Sequence, residues 1–235
     1  MNKTIAILDY GAGNLTSIRL AFERLDARPV VTGDAAEALR ADALVFPGVG
    51  SAKSAMEGLL AHGLDAPIRA FLDAGRPVLA ICLGMQMSCA RSEEDDGVDG
   101  LGFVLGVVRR FRFAAPANDV PSSKFQVPSP KSLVSGSEVP RRPKVPHMGW
   151  NTIRVLSGHP VFAGLDGQAF YFVHSYYVGA DCPAAVCRTE YAGFEFTSAI
   201  AAGSLVATQF HPERSGEAGL RLLRNFLAWE GSPCC

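Results

Sequence analysis

Cys82 ends a run of small and apolar residues, "RPVLAICLG" (76–84), with Ala80 two positions before it and Gly84 two after. Small flanking residues are what a sharp strand-to-helix turn requires, because strand and helix approach closely around it. Such a turn would lift the sulfur above a sheet edge. It would also set it at a helix N-terminus, where the local field favours thiolate over thiol. The competing reading is a structural thiol, since free cysteine is among the most buried residue types. A nucleophilic cysteine needs a base. Of the five histidines, His62, His147, His159, His174 and His211, the last lies in "ATQFHPERS" (207–215), just past an apolar run. Pro212 keeps this segment from being helical. In extended chain Glu213 then shares a side with His211 and could orient the imidazole. A surface histidine beside a solvated carboxylate is the alternative. The third ingredient is an oxyanion site. The glycines of "FPGVGS" (46–51) allow backbone N–H groups to point into a cavity. Donors from Val49 or Gly50, with the N–H of Leu83, could then stabilise a tetrahedral oxyanion. A plain strand-helix turn is the other reading of that stretch.

Positioning these groups requires a sheet. Apolar strand-like runs at 4–8, 29–31, 43–46 and 77–81 alternate with helix-like stretches. Asn14 is expected to cap a helix bearing Leu15, Ile18, Phe22 and Leu25. Further helices are predicted at 34–40, 51–62, 67–74 and 83–91. Alternation with continuously apolar strands predicts an α/β fold: an open, twisted, mostly parallel sheet with helices on both faces. Cys82, His211 and the 46–51 loop would then sit at the carboxyl ends of strands, where open α/β sheets build their sites. The second half adds an antiparallel extension, with a strand or hairpin at 102–113 and strands at 170–177, 184–191, 194–203 and 205–210. A last helix over 216–229 carries Leu220, Leu223, Phe226 and Leu227 on its apolar face.

The 235 residues, 48% hydrophobic and 19% charged with net charge −1, fit one globular domain spanning 1–235. There is no basic stripe to suggest nucleic acid, and no apolar run long enough to span a bilayer. The N-terminus lacks the apolar core and cleavage site of a signal peptide, so a cytoplasmic protein is expected. The six cysteines include no C-x-x-C pair, and their spacing does not resemble metal ligation. Residues 114–143, rich in Pro and Ser, read as a loop insertion, and 230–235, ending in Cys234 and Cys235, as an exposed tail.

"ICLGMQ" (81–86) followed much later by "QFHPE" (209–213) resembles the class I, triad-type glutamine amidotransferases. "LDYGAGN" (8–14), "FPGVGS", "SEE" (92–94), "GLG" (100–102), "KVPHMGWN" (144–151) and "FYFVHSYY" (170–177) narrow this to the glutaminase subunits of imidazole glycerol phosphate synthases, in histidine biosynthesis. The resemblance runs from about residue 4 to 229 and implies the flavodoxin-like fold of those enzymes. It implies Cys82 as nucleophile, His211 as proton carrier and Glu213 as its orienter, with Gly48, Val49, Gly50 and Leu83 at the oxyanion. Gln86, Glu94, Ser175 and Tyr176 would hold L-glutamine, Glu94 meeting its α-ammonium group. Asn14, Trp150, Tyr176 and Arg214 would face a (β/α)₈-barrel cyclase subunit in a heterodimer, with no metal or organic cofactor in this chain. A core position is the alternative for Trp150. Family members often carry Gly where Ala80 stands, and the elbow is expected to survive; the 114–143 stretch is longer than usual. Two other readings stand beside this one: a class I glutaminase serving another synthase, and a partner-binding module without catalysis.

Overall fold

In the computed structural model, which describes residues 3–113 and 143–231, the chain opens with β1 (Thr4–Leu8), α1 (Leu15–Glu23), β2 (Arg28–Thr32) and a single turn, α2 (Ala35–Ala38). Then come β3 (Ala43–Gly48), α3 (Ala52–Ala61), α4 (Asp65–Asp73), β4 (Val78–Cys82) and α5 (Leu83–Ser88). The second half holds β5 (Cys89–Ser92), β6 (Val98–Asp99), β7 (Val104–Arg110), β8 (His147–Thr152), β9 (Arg154–Val155), β10 (Ala169–His174) and β11 (Tyr176–Gly179). It closes with β12 (Ala185–Tyr191), β13 (Phe194–Ala202), β14 (Leu205–Thr208) and α6 (Gly216–Ala228). Apart from Pro143, the expected loop insertion lies outside the described residues, as do the tail cysteines.

The main sheet runs β2-β1-β3-β4-β14-β13-β11-β7-β5-β6, with β12 beside β13 and β9 beside β12. The first five strands in that order are mutually parallel. From β14 to β13, β11 and β7 the pairing is antiparallel; β5 then runs parallel to β7. β8 and β10 form a separate antiparallel ribbon. The inner strands β1, β3 and β4 are almost wholly apolar because both their faces are covered, whereas β2 at the edge exposes Arg28 and Val31. Ile5, Ile7, Val45, Leu79 and Ile81 face one core with Phe22 of α1 and Leu222, Leu223 and Phe226 of α6. Ala6, Leu8, Phe46 and Ala80 face the other, with Leu59, Phe71 and Met85 of the helices opposite. Register sets Gly48 of β3 beside Cys82 of β4, and Thr208 of β14 beside Ile81. Three neighbouring strands thus end together where the chemistry-bearing loops begin.

Three local expectations are corrected. The helix predicted over 83–91 stops at Ser88, because Cys89 pairs in register with Val104 and the sheet captures the chain. "FYFVHSYY" is not one strand: it breaks at Ser175, sending β10 to the ribbon and β11 to the main sheet. Of the strand or hairpin expected over 102–113, the structure forms the single strand β7. On α6 the buried face is Gly219, Leu222, Leu223 and Phe226, with Leu220 and Leu227 only partly covered. Gly219 is required there, since a Cβ would fall 1.9 Å from the carbonyl oxygen of Pro212. Helix α6 therefore clamps the segment that follows His211.

Candidate active site

β4 ends at Cys82 with φ 56° and ψ −107°, a positive φ that a side chain rarely adopts. The strain is held by close packing on both sides of the turn. A Cβ on Gly84 would stand 2.1 Å from the carbonyl oxygen of Phe46, and one on Gly48 would stand 2.8 Å from the Leu83 Cβ. Ala80, fully buried, fits beneath the turn without a glycine. The result is a sharp elbow that presents the sulfur, 7% exposed, to a cleft of about 530 Å³, a size suited to a small molecule. A cysteine at this geometry is not the ordinary core thiol. Cys89 is that thiol, fully buried, with burial and then the charge of Cys182 pushing it up to about 12.

His211 follows β14, 3% exposed. Its backbone is tied to the ribbon: its N–H donates to Tyr171 O at 2.9 Å, and the Ser215 hydroxyl donates to its carbonyl at 2.6 Å. Glu213 reaches it as expected, but by a different route. Pro212–Arg214 form a single tight helical turn rather than extended chain. The turn brings Glu213 Oε1 to 2.8 Å from His211 Nδ1. The same oxygen accepts a 2.6 Å hydrogen bond from Asn14 Nδ2. Asn14 does not cap α1 through its side chain; it sits at φ 68° and turns its amide to the carboxylate instead. Burial opposes charge on the imidazole, but the charge of a Cys82 thiolate and the hydrogen bonds of Cys82 and Glu213 overcome it and raise His211 to about 10. Nε2 is buried with no partner at ordinary hydrogen-bond geometry among the described residues. The Cys82 contact is therefore loose, as such pairs often are before substrate binds.

The rest of the cleft is drawn from distant segments. Val49, Gly50 and Leu83 line it near the sulfur, with Gly50 at φ 97°. Gly48 is not among the lining residues; it serves the elbow by its lack of a side chain. Gln86, Glu94, Ser175 and Tyr176 line the cleft. Glu94 accepts from the N–H of Ala52 at 2.9 Å, and burial raises its carboxyl against that hydrogen bond. Gln86 spends its amide inward: Nε2 is 3.0 Å from both Tyr176 O and Gln209 Oε1. Its carbonyl oxygen is left as the group to offer a ligand. Asn14 and Arg214 also line the cleft. Trp150 takes the exposed alternative, 60% accessible, and meets Tyr171 edge-on at 6.3 Å. The Arg214 guanidinium lies over the same tyrosine ring at 4.8 Å. With Met148 exposed two residues before Trp150, this makes a rim of apolar and cationic groups beside the cleft.

Several residues at the site escaped the sequence reading. Tyr10 is buried, hydrogen-bonds Pro47 O at the end of β3, and is raised by burial and then by the Cys82 charge. His147 and His174 form a buried pair, with Nδ1 of the first 2.9 Å from Nε2 of the second. His174 lines the cleft. Burial lowers His147 to about 4 and His174 to about 3. Gln209 is fully buried beside Cys82. An amide inside the apolar run "LVATQF" was the available signal, since buried polar groups are the informative exceptions in a strand.

Comparison with known proteins accords with this geometry. The family described as "Glutamine amidotransferase class-I" matches residues 6–229. The "Imidazole glycerol phosphate synthase subunit HisH 1" of Pseudomonas aeruginosa is 43% identical over 233 residues, covering 98% of this chain and 99% of that protein. The "Imidazole glycerol phosphate synthase subunit HisH" of Methanosarcina acetivorans is 40% identical, covering 96% and 98%. Among solved structures, PurLQS from Thermotoga maritima superposes with a TM-score of 0.66 at 15% identity, covering 97% of this chain and 99% of that one, and so supports the fold. The chain belongs to the class I glutamine amidotransferases, in the branch formed by the HisH subunits of imidazole glycerol phosphate synthase.

Proposed function

We propose that the cleft hydrolyses the side-chain amide of L-glutamine and that the ammonia passes to a (β/α)₈-barrel cyclase subunit. That subunit would use it to form imidazole glycerol phosphate and aminoimidazole carboxamide ribonucleotide. The observation that carries the chemistry is the strained Cys82 beside a buried imidazole whose far nitrogen is held by Glu213. The Cys82 thiolate attacks the amide carbon, and the carbonyl oxygen takes the negative charge. Val49, Gly50 and Leu83 supply the N–H donors for that oxyanion. His211, protonated on Nε2, gives its proton to the departing ammonia as the C–N bond breaks, leaving a γ-glutamyl thioester. The neutral imidazole then takes a proton from water as it attacks the thioester. Collapse releases glutamate and restores the thiolate and imidazolium. Gln86 Oε1 and Glu94 hold the amino acid's own polar groups, Glu94 pairing with the α-ammonium. The backbone at Ser175 and Tyr176 forms the facing wall.

The rim supports a docking role for the same mouth of the cleft. Trp150 is an exposed, rigid aromatic of the kind that anchors interfaces. Arg214 and Asn14 join it at the opening, so a partner seated there would cover the point where ammonia forms. The test is glutaminase assay of the chain with its cyclase partner and acceptor ligand, alongside labelling with a glutamine-directed electrophile. Stoichiometric label on Cys82 and glutamine-dependent cyclase turnover are expected. Absence of label under these conditions refutes the enzymatic reading. Stimulation by a different synthase, with none by the cyclase, refutes the partner assignment.

A further inference from the structure

A backbone carbonyl can only accept hydrogen bonds, and this fixes the polarity of a buried chain of side chains running to Cys82. Tyr176 O has two close contacts, Gln86 Nε2 at 3.0 Å and His174 Nδ1 at 2.7 Å. Both must donate. Gln86 therefore turns its NH₂ inward, and the same nitrogen donates to Gln209 Oε1 at 3.0 Å. With its oxygen so occupied, the Gln209 amide must present its own NH₂ at the other end, where Nε2 lies 3.7 Å from Cys82 Sγ. No flipped arrangement satisfies the set: reversing Gln209 would set its oxygen against the electron-rich sulfur and its NH₂ against the NH₂ of Gln86. Besides the His211 imidazole, the sulfur meets Val173 O at a long 4.0 Å. Gln209 is fully buried and is not among the residues lining the cleft, so it does not meet a ligand.

We propose that Gln209 is a positioning residue for Cys82: its N–H is the fixed donor that holds the sulfur as thiolate and aims it into the cleft. The inference rests on the reading of Cys82 as nucleophile and adds a named group that supports it. A neutral amide suits this task. It donates to the anion without introducing a charge that would compete with His211 for the sulfur. Its other end is the acceptor for Gln86, so one side chain sets both the nucleophile and a candidate substrate-holding residue.

The test reads Cys82 itself, without turnover. The full chain is alkylated with iodoacetamide across pH 5 to 9, and the Cys82 peptide is followed by mass spectrometry, which separates it from the other cysteines. Gln209→Met removes the donor at similar volume; alkylation of Cys82 is expected to slow about tenfold at pH 7, from the usual worth of a hydrogen bond to a charged group. Gln209→Glu keeps the acceptor for Gln86. Protonated, it can still donate to sulfur; ionised, it repels the thiolate. Its rate relative to wild type is therefore expected to fall as pH rises. The other titratable groups around the sulfur, His211, Tyr10, His174 and Glu94, together with Arg214, are common to all three proteins. A folded Gln209→Met or Gln209→Glu whose alkylation profile superimposes on wild type overturns the proposal, and either variant alone suffices. That outcome with full glutaminase activity would leave the nucleophile assignment intact. Full activity in Cys82→Ala would instead refute the assignment on which the proposal stands.

Discussion

Acidification should unfold this protein partly through the His147–His174 pair, and the slope of that loss can be worked from the structure. His174 Nδ1 donates to Tyr176 O, so its Nε2 must accept from His147 Nδ1, and His147 Nε2 accepts from Asn151 Nδ2 at 3.3 Å. Every ring nitrogen is used in the neutral state, and a proton on either acceptor would break a hydrogen bond within the core. Burial is the main cause that lowers the folded values to about 4 and about 3, against about 6.5 in an unfolded chain. Groups with depressed folded values contribute stability that is fully present above the unfolded pKa and lost as pH falls toward the folded one. Between about pH 6 and 4 the unfolded chain binds up to two more protons than the folded one. The slope from the pair is then at most about 2.7 kcal/mol per pH unit, or up to about 5 kcal/mol between pH 8 and 4.5. The assay is urea unfolding at half-unit pH steps, comparing wild type with His147→Gln/His174→Gln. Glutamine can donate at one end and accept at the other, as each ring does, but it does not titrate. The double variant is expected to start less stable, since His147 loses its stacking on Tyr191 at 4.0 Å, and to lose less with acid. Parallel stability curves between pH 6 and 4 would refute the reasoning.

Three further outcomes follow from single contacts. Asn14→Ala removes one of two donors to a Glu213 oxygen whose side chain is buried; kcat/KM for glutamine should fall about 10- to 100-fold, at roughly 1–3 kcal/mol for an unsatisfied buried group, and unchanged steady-state kinetics would show that Asn14 does not serve the carboxylate. Gly84→Ala would drive a Cβ to 2.1 Å from Phe46 O; calorimetry should show a lowered Tm and the assay a loss of glutaminase beyond about 100-fold, whereas a wild-type-like variant would mean the elbow can relax. Trp150→Ala should weaken binding to the cyclase subunit by about 30-fold, near 2 kcal/mol for an interface anchor, measured by titration calorimetry; equal affinity would place the interface elsewhere.

The parallel half of the fold was legible because its signals are local. Continuous apolar strands separated by helical periods admit few arrangements, and the ends of β3, β4 and β14 meet as that pattern implied. The errors share one cause, competition from tertiary contacts. Residues 89–91 left the predicted helix because β7 offered a ladder, and Ser175 became a break because two sheets claimed its two sides. At the site, Cys82, His211 and Glu213 could be named from type and spacing. The residues that hold them could not. Asn14 lies 199 positions from Glu213, and Gln209 lies 127 from Cys82. Both amides stand inside the quoted motifs "LDYGAGN" and "QFHPE", but nothing in the local spacing of either names a partner so far away.

Glu213 explains why those supporting residues must come from so far. Its side chain is fully buried, and an isolated carboxylate in such a place would be costly. Both donors on its Oε1 arrive from opposite sides of β3 and β4: Asn14 from the loop after β1, His211 from the end of β14. The orienting contact for the base therefore exists only when that whole stretch of sheet is assembled. Helices α1 and α6 then hold the two ends together on one face, where Phe22 meets Phe226 at 6.5 Å. The Asn14 loop is also part of the opening that the proposed partner covers. A push on that loop reaches Glu213 through a single 2.6 Å hydrogen bond and His211 through one more of 2.8 Å. The carboxylate thus stands where fold stability, partner contact and the protonation of the base can act on one another directly.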